Sequence, residues 1–489
     1  MKKIISIFVK EQKRYNKREI RKILELGIEE IDGFIKKLKA FGVLKSVANN
    51  SIQRELSDLI DEDIEITEVE SDEYLYVFTY VGVINIGNRV IKCYPKYITK
   101  SENLIDDMKQ ILKVIRKYGS KEQIINVFNG DRNEKTFNTL AATIFFINDF
   151  YEYGVYTNTE DVVEYNGDGE ILWDKSINEN FPLIYNGRPY YTELFTKKII
   201  DDEFDFFKRL HECILTRCCR QFEEAGLLEL FDIEAIDISE EDICNFGEKE
   251  YILYRLQIEL DVQYNTRKQI LLKTLYSYIE NEKMTQGNSE ISMYGTNSFN
   301  LIWESVCADV FNNKLNTTLA QINLPKVLLE EYNCDSKLID IIERPTWIGK
   351  AIEGLEFEKK SKDTLKPDLI SVEKYEEKVN FNILDAKYYN IELEEGKKLR
   401  NYPGIGDITK QYLYELAYKK FIEDHNIEKV NNCFLFPIEG DQVVKKGFVK
   451  MDMFGSMGLK DIEIILLPVK MMYEKYLTKK VIEFSKLNL

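Results

Sequence analysis

The sequence has few histidines, no long apolar segment and no regular spacing of cysteines, which are features that several classes of protein require. Only two of its 489 residues are histidines, so acid–base or metal chemistry built on imidazole has little material. No apolar run approaches the roughly 18–20 residues that cross a bilayer. The start, MKKIISIFVKEQKRYNKRE, has too short an apolar segment for a signal peptide, and the eight cysteines are spaced irregularly. These absences predict a cytoplasmic protein with no membrane partner.

A basic excess is also lacking. The formal net charge is −17, which argues against broad coating of nucleic acid, because neutralising phosphates needs clustered Lys and Arg. Residues 1–60 differ, with 14 Lys/Arg against 8 Asp/Glu. An acidic chain is compatible with a DNA enzyme if contact is confined to one surface, or if a partner supplies most of the affinity.

The length predicts about three domains, at roughly 100–200 residues each. In the first, residues 1–60, successive helices are expected over residues 3–46, with Gly27 and Gly42 at helix ends. Two short helices followed by strand-like residues resemble a winged-helix module. A small helical packing module is at least as good an interpretation, so DNA contact by this segment stays open.

Residues 61–283 form the second predicted domain, a mixed α/β region. Strands are predicted over Tyr74–Ile98, with Gly87-Asn88 as a hairpin turn, and in GDGEILWDKSI and PLIYNGRPYYTELFT. Helical spacing of apolar residues predicts the helices, which cover residues 102–118, 138–152, 204–222 and 261–282. His211, Cys213, Cys218 and Cys219 share one of these helices, but their spacing matches no paired zinc motif, which favours buried helix residues.

The third predicted domain, residues 284–489, begins with a helix in SFNLIWESVCADVF. Its apolar face carries Phe299, Trp303, Val306 and Val310, and Glu304 lies at the edge of that face. The pattern then passes to strands, a helix and a strand, which is typical of α/β architecture. Glu304 either borders the core or points into a cleft with the sheet.

Two strands in this third domain carry the candidate site. In NFNILDAKYY the period of two places Asp385 and Lys387 on one face, and Leu384 and Ala386 on the other. A hairpin turning near Glu376 and Glu377 would bring Asp368 opposite Asp385. Two facing carboxylates repel unless a cation neutralises them, and Mg²⁺ takes oxygen ligands of this kind. Each motif alone is common, so ordinary strands are the competing interpretation.

The order Glu304, Pro367-Asp368, Asp385-Ala386-Lys387 and Gln411-Tyr412 resembles the PD-(D/E)XK nuclease superfamily over roughly the last 200 residues. Upstream, YVGVINIGNRVIKCYPKYI and GEILWDKSI look like the amino-terminal part of McrC-type subunits, especially those of the LlaJI family of restriction endonucleases. The resemblance implies an α+β multidomain protein. It would have an N-terminal winged-helix-like module, a McrC-like partner-docking region and a C-terminal PD-(D/E)XK domain with a mixed sheet flanked by helices.

The resemblance also implies a function: cleavage of double-stranded DNA with Mg²⁺, or Mn²⁺ in its place, beside an AAA+ GTPase hexamer of the McrB type. It makes Lys387 the catalytic lysine and Gln411 a supporting residue. The metal ligands that it implies are Asp368, Asp385, Ala386 and Glu304. The sequence has no GxxxxGK[ST] loop, since GIGDITK at 404–410 lacks that spacing, so the GTPase must be another chain.

Two other functions stay open at this point. The chain could be a catalytically inactive adaptor whose nuclease-like domain only regulates a partner, although such a protein has no need to keep two facing aspartates. It could also be a stand-alone repair or junction nuclease, which would cut DNA without any GTPase.

Overall fold

The computed structural model describes residues 4–48, 74–122, 128–129, 136–137, 139–201, 205–281, 291–350, 356–375 and 378–487. The helices and strands given below are those of these residues. Every helix among them is too short or too polar to cross a bilayer.

The described chain begins with a strand, which corrects the expectation of helices from residue 3 onward. Ile5–Lys10 forms β1 and pairs in parallel with the later strand Arg89–Tyr94. Its alternating β-branched residues favour an extended strand, and the pairing supplies its backbone hydrogen bonds. The elements that follow are β2 (Arg14–Tyr15), α1 (Lys17–Ile23), α2 (Glu30–Ala40), β3 (Leu44–Ala48) and β4 (Tyr74–Phe78).

The helices α1 and α2 pack beside a small sheet of order β2-β4-β3. Asn16 caps α1 by accepting from the Glu19 N–H at 2.8 Å, and the Glu19 carboxylate accepts from the Asn16 N–H at 2.9 Å. Because β3 pairs with β4, this packing unit extends past the predicted boundary at residue 60. The winged-helix assignment itself stays a prediction.

The middle of the chain alternates short sheets with helices, as the mixed pattern predicts. Its elements are β5 (Val81–Ile86), β6 (Arg89–Tyr94), α3 (Leu104–Glu122), β7 (Phe128–Asn129), β8 (Thr136–Phe137), α4 (Thr139–Tyr153), β9 (Thr159–Tyr165), β10 (Glu170–Ile171), α5 (Trp173–Glu179), β11 (Leu183–Tyr185), β12 (Arg188–Tyr190), β13 (Phe195–Asp201), α6 (Phe206–Glu224), α7 (Leu228–Phe231), α8 (Lys249–Val262) and α9 (Thr266–Glu280).

Most expectations for this region are confirmed, one is wrong in part, and one helix was missed. GDGEILWDKSI contains the short helix α5 besides a strand. The helix predicted over 261–282 is present as α9, but the preceding helix α8 was not predicted. The reason is that α8 has apolar residues around much of its circumference, with Ile252 and Leu256 buried but Tyr254 and Ile258 exposed, so no single stripe marks it.

The C-terminal region contains a five-stranded mixed sheet. Its elements are β14 (Ile291–Thr296), α10 (Phe299–Val310), β15 (Thr346–Lys350), β16 (Glu356–Lys360), β17 (Leu369–Tyr375), β18 (Lys378–Ala386), α11 (Ile405–Asp424), β19 (Lys429–Ile438), β20 (Val444–Val449), α12 (Asp452–Gly455), β21 (Ile462–Pro468) and α13 (Val469–Leu477). The sheet order is β17-β18-β19-β21-β20. The strands β18, β19 and β21 are parallel, and the edge strands β17 and β20 are antiparallel to their neighbours.

Helices cover both faces of this sheet. On one face, α10 and α13 pack against Leu384 and Leu435, and the Trp303 indole N–H donates to the Leu435 carbonyl at 3.1 Å. On the other face, α11 packs against Phe381 and Ile383. A second sheet, of order β1-β6-β5-β14, joins strands from all three predicted domains, so the domain division stays a prediction.

Candidate active site

The hairpin predicted around the two aspartates is present. The strands β17 and β18 pair antiparallel, with Tyr375 opposite Lys378 at one end and Leu369 opposite Leu384 at the other. The predicted turn at residues 376–377 lies outside the described residues. One further step along this register places Asp368 opposite Asp385, at the end of the hairpin where β18 also pairs with the buried strand β19.

The carboxyl groups of Asp368 and Asp385 interact directly, since each contributes to the pKa shift of the other. Asp368 Oδ2 also accepts from the Ala386 N–H at 3.0 Å. Burial raises the pKa of Asp385, which is only 5% exposed, well above its usual range, and the charge of Asp368 raises it further. Burial likewise raises the pKa of Asp368. The pair therefore resists carrying two negative charges, and a cation would relieve it.

Lys387 is the cation already present in this cluster. Its Nζ lies 3.1 Å from Asp385 Oδ2 and 3.4 Å from Asp407 Oδ1. Burial alone lowers the pKa of the Lys387 ammonium, but the charges of Asp385, Asp368 and Asp407 outweigh burial, and the pKa is raised. Lys387 is therefore charged at neutral pH, which suits it to bind a phosphate oxygen rather than to accept a proton.

Glu304 approaches the pair from the other side of the sheet. It lies half-buried on α10, and its negative charge adds to the burial that raises the Asp368 pKa. Among the described residues, no group of three or more His, Cys, Asp or Glu side chains is arranged to hold a metal ion. The predicted role of Glu304 as a ligand, direct or through water, stays a prediction, as does that of Ala386.

Gln411 supports the sheet from α11 and does not touch the carboxylates. Its Nε2 donates to the carbonyls of Ile383 at 3.1 Å and Cys433 at 3.4 Å, on the neighbouring strands β18 and β19. The side chain is fully buried. Gln411 therefore bridges the strand that carries Asp385 to its neighbour, and its supporting role in catalysis stays a prediction.

Sequence reasoning missed two residues on α11 that border the site. Asp407 contacts Lys387, and four residues later Gln411 lies on the same helix face, so the i, i+4 spacing was an available signal. Tyr414 donates from its hydroxyl to the Lys366 carbonyl at 3.0 Å. Burial raises the pKa of Tyr414 to about 12, and the charges of Asp385 and Asp368 contribute. The Tyr414 hydroxyl is therefore protonated and holds the segment leading into Asp368.

A third missed residue, Glu11, links the N-terminal strand to the site. The Tyr388 hydroxyl, directly after Lys387, donates to Glu11 Oε2 at 2.6 Å, and the Lys96 N–H donates to the same oxygen at 3.1 Å. Glu11 is buried, and burial raises its pKa. No local sequence pattern predicts this contact, because Glu11 and Tyr388 are 377 residues apart in the chain.

The histidine and the cysteines of α6 are buried in the packing of that helix. His211 Nδ1 accepts from the Tyr156 N–H at 3.0 Å, and burial lowers the pKa of His211 to about 3. Burial raises the pKa of Cys213 to about 12 and that of Cys218 to about 11. The described residues contain no metal-holding group at this helix. This agrees with the interpretation of His211 and its neighbours as buried helix residues.

The fold and the site define an α/β protein with a carboxylate–lysine cluster at the end of a mixed sheet. The sequence model of the LlaJI restriction endonuclease family matches residues 80–471. This chain belongs to that family. A curated relative, the type II restriction enzyme BsuMI component YdjA of Bacillus subtilis (strain 168), is 29% identical over 412 residues, covering 83% of this chain and 81% of the relative.

Two solved structures are also similar to the chain. The first is a half-complex from a tetradecameric assembly of Thermococcus gammatolerans McrB AAA+ hexamers with bound McrC, at 13% identity and a TM-score of 0.36, covering 97% of this chain and 99% of that one. The second is the McrBC complex of the same organism, at 16% identity and a TM-score of 0.25, covering 61% of this chain and 84% of that one. Both TM-scores are below 0.5, so the family assignment rests on the sequence matches.

Proposed function

We propose that this chain is the Mg²⁺-dependent endonuclease subunit of a restriction system, hydrolysing phosphodiester bonds of double-stranded DNA. The observation that carries the proposal is the convergence of Asp368, Asp385 and Lys387 at the end of the β17–β18 hairpin, within a restriction endonuclease family. An aspartate pair and a charged lysine at one point supply the oxygen ligands and the phosphate contact that metal-assisted phosphodiester hydrolysis uses.

The aspartate pair fits Mg²⁺. This ion usually takes one or two carboxylates and completes its octahedron with water and substrate phosphate, so a cage of three protein carboxylates is not required. Asp368 and Asp385 would hold it, because burial raises the pKa of both carboxyl groups in spite of the nearby charge of Lys387, and a metal ion would add the positive charge that favours their ionised forms. Mn²⁺ fits the same oxygen donors. When bound, the ion supplies Lewis-acid activation of the phosphate and of water.

The protein side chains then have distinct roles. Lys387, held between Asp385 and Asp407, would donate a charge-assisted hydrogen bond to a phosphate oxygen. Gln411 would keep Asp385 in position by bridging the two strands behind it. Glu304 would act electrostatically or through water, because it lies on the helix covering the other face of the sheet.

The family resemblance supports a second part of the proposal: docking on, and stimulation of, an AAA+ GTPase motor that a separate chain supplies. The predicted docking region contains the two-stranded hairpin of β11 and β12, whose apolar residues Leu183, Ile184 and Tyr185 are all more than 60% exposed. An exposed apolar patch of this kind marks a contact surface for another protein. We assign this hairpin to the motor interface.

The nuclease proposal is tested by incubating the full chain with its motor, GTP, Mg²⁺ and unmodified plasmid DNA. Wild-type protein should cut, and Asp385→Asn, which keeps the size of the side chain, should not. Isothermal titration of Mg²⁺ should show binding to the wild type that disappears in Asp368→Asn. Normal cutting by Asp385→Asn would contradict the nuclease assignment. Mg²⁺ binding without any cutting would favour an adaptor, and cutting without GTPase would favour a stand-alone nuclease.

The docking part has a separate test. Ile184→Asp should reduce stimulation of the motor's GTP hydrolysis, because a charge would be placed in an apolar contact. Ile348→Asp, on another exposed hairpin outside the predicted docking region, is the matched control and should leave stimulation unchanged. Equal stimulation by Ile184→Asp and wild type would remove the β11–β12 hairpin from the interface.

A further inference from the structure

A second exposed hairpin, formed by β15 and β16, precedes the catalytic strands. It pairs with no further strand among the described residues. Hydrogen bonds join its two arms at the base: the Ser361 N–H donates to the Pro345 carbonyl at 2.8 Å, and the Thr364 hydroxyl donates to the Glu343 carbonyl at 2.6 Å. An isolated two-stranded hairpin is at best marginally stable in water. We therefore expect this hairpin to bind another molecule when the protein is functioning.

The strand register divides this hairpin into two chemically different faces. Trp347 lies opposite Lys359, and Gly349 lies opposite Phe357, so these four residues share one face. The acidic residues of the strands, Glu356 and Glu358, lie on the opposite face with Thr346, Ile348, Lys350 and Lys360. The aromatic hairpin face, defined as Trp347, Gly349, Phe357 and Lys359, therefore has a cation and two rings but no carboxylate.

Gly349 determines how the rings on this face are presented. A Cβ at Gly349 would lie 2.5 Å from Cζ of Phe357, so the ring of Phe357 occupies the space that a side chain would fill. Lys359 Nζ lies 5.6 Å from the centre of the same ring. Trp347 is 70% exposed and Phe357 is 45% exposed. The face thus presents flat aromatic surface to solvent with an ammonium group beside it.

The local charge fits a polyanion. Residues 344–350 and 356–366 contain six Lys or Arg and three Asp or Glu, in a chain whose net charge is −17. This positive balance is combined with exposed aromatic rings, which contact bases and thymine methyl groups in nucleic-acid complexes. On the aromatic hairpin face itself Lys359 is the one charged residue, so the face is positive and charge complementarity favours nucleic acid.

Position along the chain ties the hairpin to the catalytic cluster. From Lys360, where β16 ends, to Asp368 there are eight Cα steps, which span at most roughly 29 Å. The connecting segment is also held to the protein, since the Lys366 carbonyl accepts from Tyr414. One turn of B-form DNA is about 34 Å long, so a single turn of duplex can reach both features.

We propose that the aromatic hairpin face binds the DNA duplex within one helical turn of the cleavage point, an inference that rests on the proposed nuclease function. The major groove, about 12 Å wide, admits a two-stranded β-ribbon. Trp347 and Phe357 contact base edges there, and Lys359 pairs with a phosphate of the groove wall. Glu356 and Glu358 point away from the DNA on the other face of the ribbon.

The test measures binding of a fluorescein-labelled duplex of about 30 base pairs by anisotropy, with the full chain carrying Asp385→Asn to prevent cutting. Adding Trp347→Ala and Lys359→Ala should weaken binding at least tenfold. Thr346→Ala with Ile348→Ala, on the opposite face, should leave the affinity within twofold. Lys359→Ala alone should reduce the slope of log affinity against log salt by about 1, because one phosphate contact is lost.

Unchanged affinity in the Trp347/Lys359 variant overturns the proposal, and so does failure of the parent protein to bind duplex at 50 mM salt. Circular dichroism and thermal unfolding check that the variants are folded. If the variant loses self-association in sedimentation velocity while its DNA affinity is unchanged, the face is an interface between copies and the DNA proposal is wrong. If DNA binding depends on the hairpin but the wild-type protein does not cut DNA with Mg²⁺, the proposed nuclease function is wrong. The assignment of the hairpin as a DNA-binding surface would still hold.

Discussion

Two groups of polar side chains in this protein have opposite electrostatic character. The carboxylate–lysine cluster (Asp368, Asp385, Lys387 and Asp407) brings opposite charges within 3.1–3.4 Å at the end of a hairpin. The histidine–cysteine group of α6 (His211, Cys213, Cys218 and Cys219) is buried among apolar residues, and burial keeps it neutral. Both groups contain residue types that bind metals, but only the first retains charge.

The difference shows that residue type alone does not define a site. A buried group stays charged when partners offset the cost of desolvation, and otherwise its pKa shifts until it is neutral. Lys387 has carboxylate partners, so it remains cationic. His211 accepts from one backbone N–H, and both burial and the charge of Arg267 disfavour the imidazolium, so it remains neutral. Four experiments would break or sharpen this comparison.

The largest expected effect is that of Lys387→Ala. DNA cleavage should fall at least about 100-fold, the size of loss seen when a preorganised electrostatic contact to the transition state is removed. Plasmid cleavage under saturating Mg²⁺ measures this. His211→Asn is the matched change in the other group and should leave cleavage within about threefold. A comparable loss in both variants would erase the distinction between the two groups.

The next effect concerns acid stability. Because the folded pKa of His211 is about 3 and its unfolded value is near 6.5, the unfolded chain binds one more proton between these values. The His211 contribution is fully present above pH 6.5 and is lost as the pH falls, at about 1.4 kcal/mol per pH unit. The free energy of unfolding, measured with urea, should fall less between pH 7 and pH 5 for His211→Asn than for wild type. Equal drops would mean that His211 is charged in the folded protein.

Gln411→Leu should destabilise the protein by about 1–3 kcal/mol, because two buried strand carbonyls lose their donor while the volume is kept. Chemical denaturation measures the loss. Leu416→Ala, at an exposed position of the same helix, is the control and should change stability by less than about 0.5 kcal/mol. If Gln411→Leu were neutral in stability, a direct role at the cluster would have to replace the supporting one.

The smallest effect is stabilisation by Mg²⁺. The raised pKa of Asp385 means that, without metal, stability falls as the pH rises from the unfolded value of about 4 through the folded one. Mg²⁺ at ten times its dissociation constant should add about 1.4 kcal/mol at neutral pH. Differential scanning fluorimetry with and without Mg²⁺ should show this shift in wild type. The same shift in a protein with both Asp368→Asn and Asp385→Asn would locate the metal elsewhere.

The candidate site was largely predictable from the sequence, because its main elements are local. The period of two in β18 placed Asp385 and Lys387 on one face, and the antiparallel pairing of β17 with β18 places Asp368 opposite Asp385. Asp407 had a signal in its helical spacing from Gln411. Glu11 had none, since its contact with Tyr388 joins distant parts of the chain. The strand β1 was missed for a similar reason, because it is completed by a parallel strand more than 80 residues away.

The sequence by itself determined the strands and most helices, the hairpin around Asp368 and Asp385, and the absence of a P-loop, since each depends on residues close together in the chain. The tertiary structure decided which polar groups keep their charge, that Glu304 approaches from the opposite face of the sheet, and that one sheet joins all three predicted domains. Burial is the physical reason. The helices and strands that remove Asp385 and His211 from water come from distant segments of the chain. No local sequence pattern specifies how much each group is desolvated.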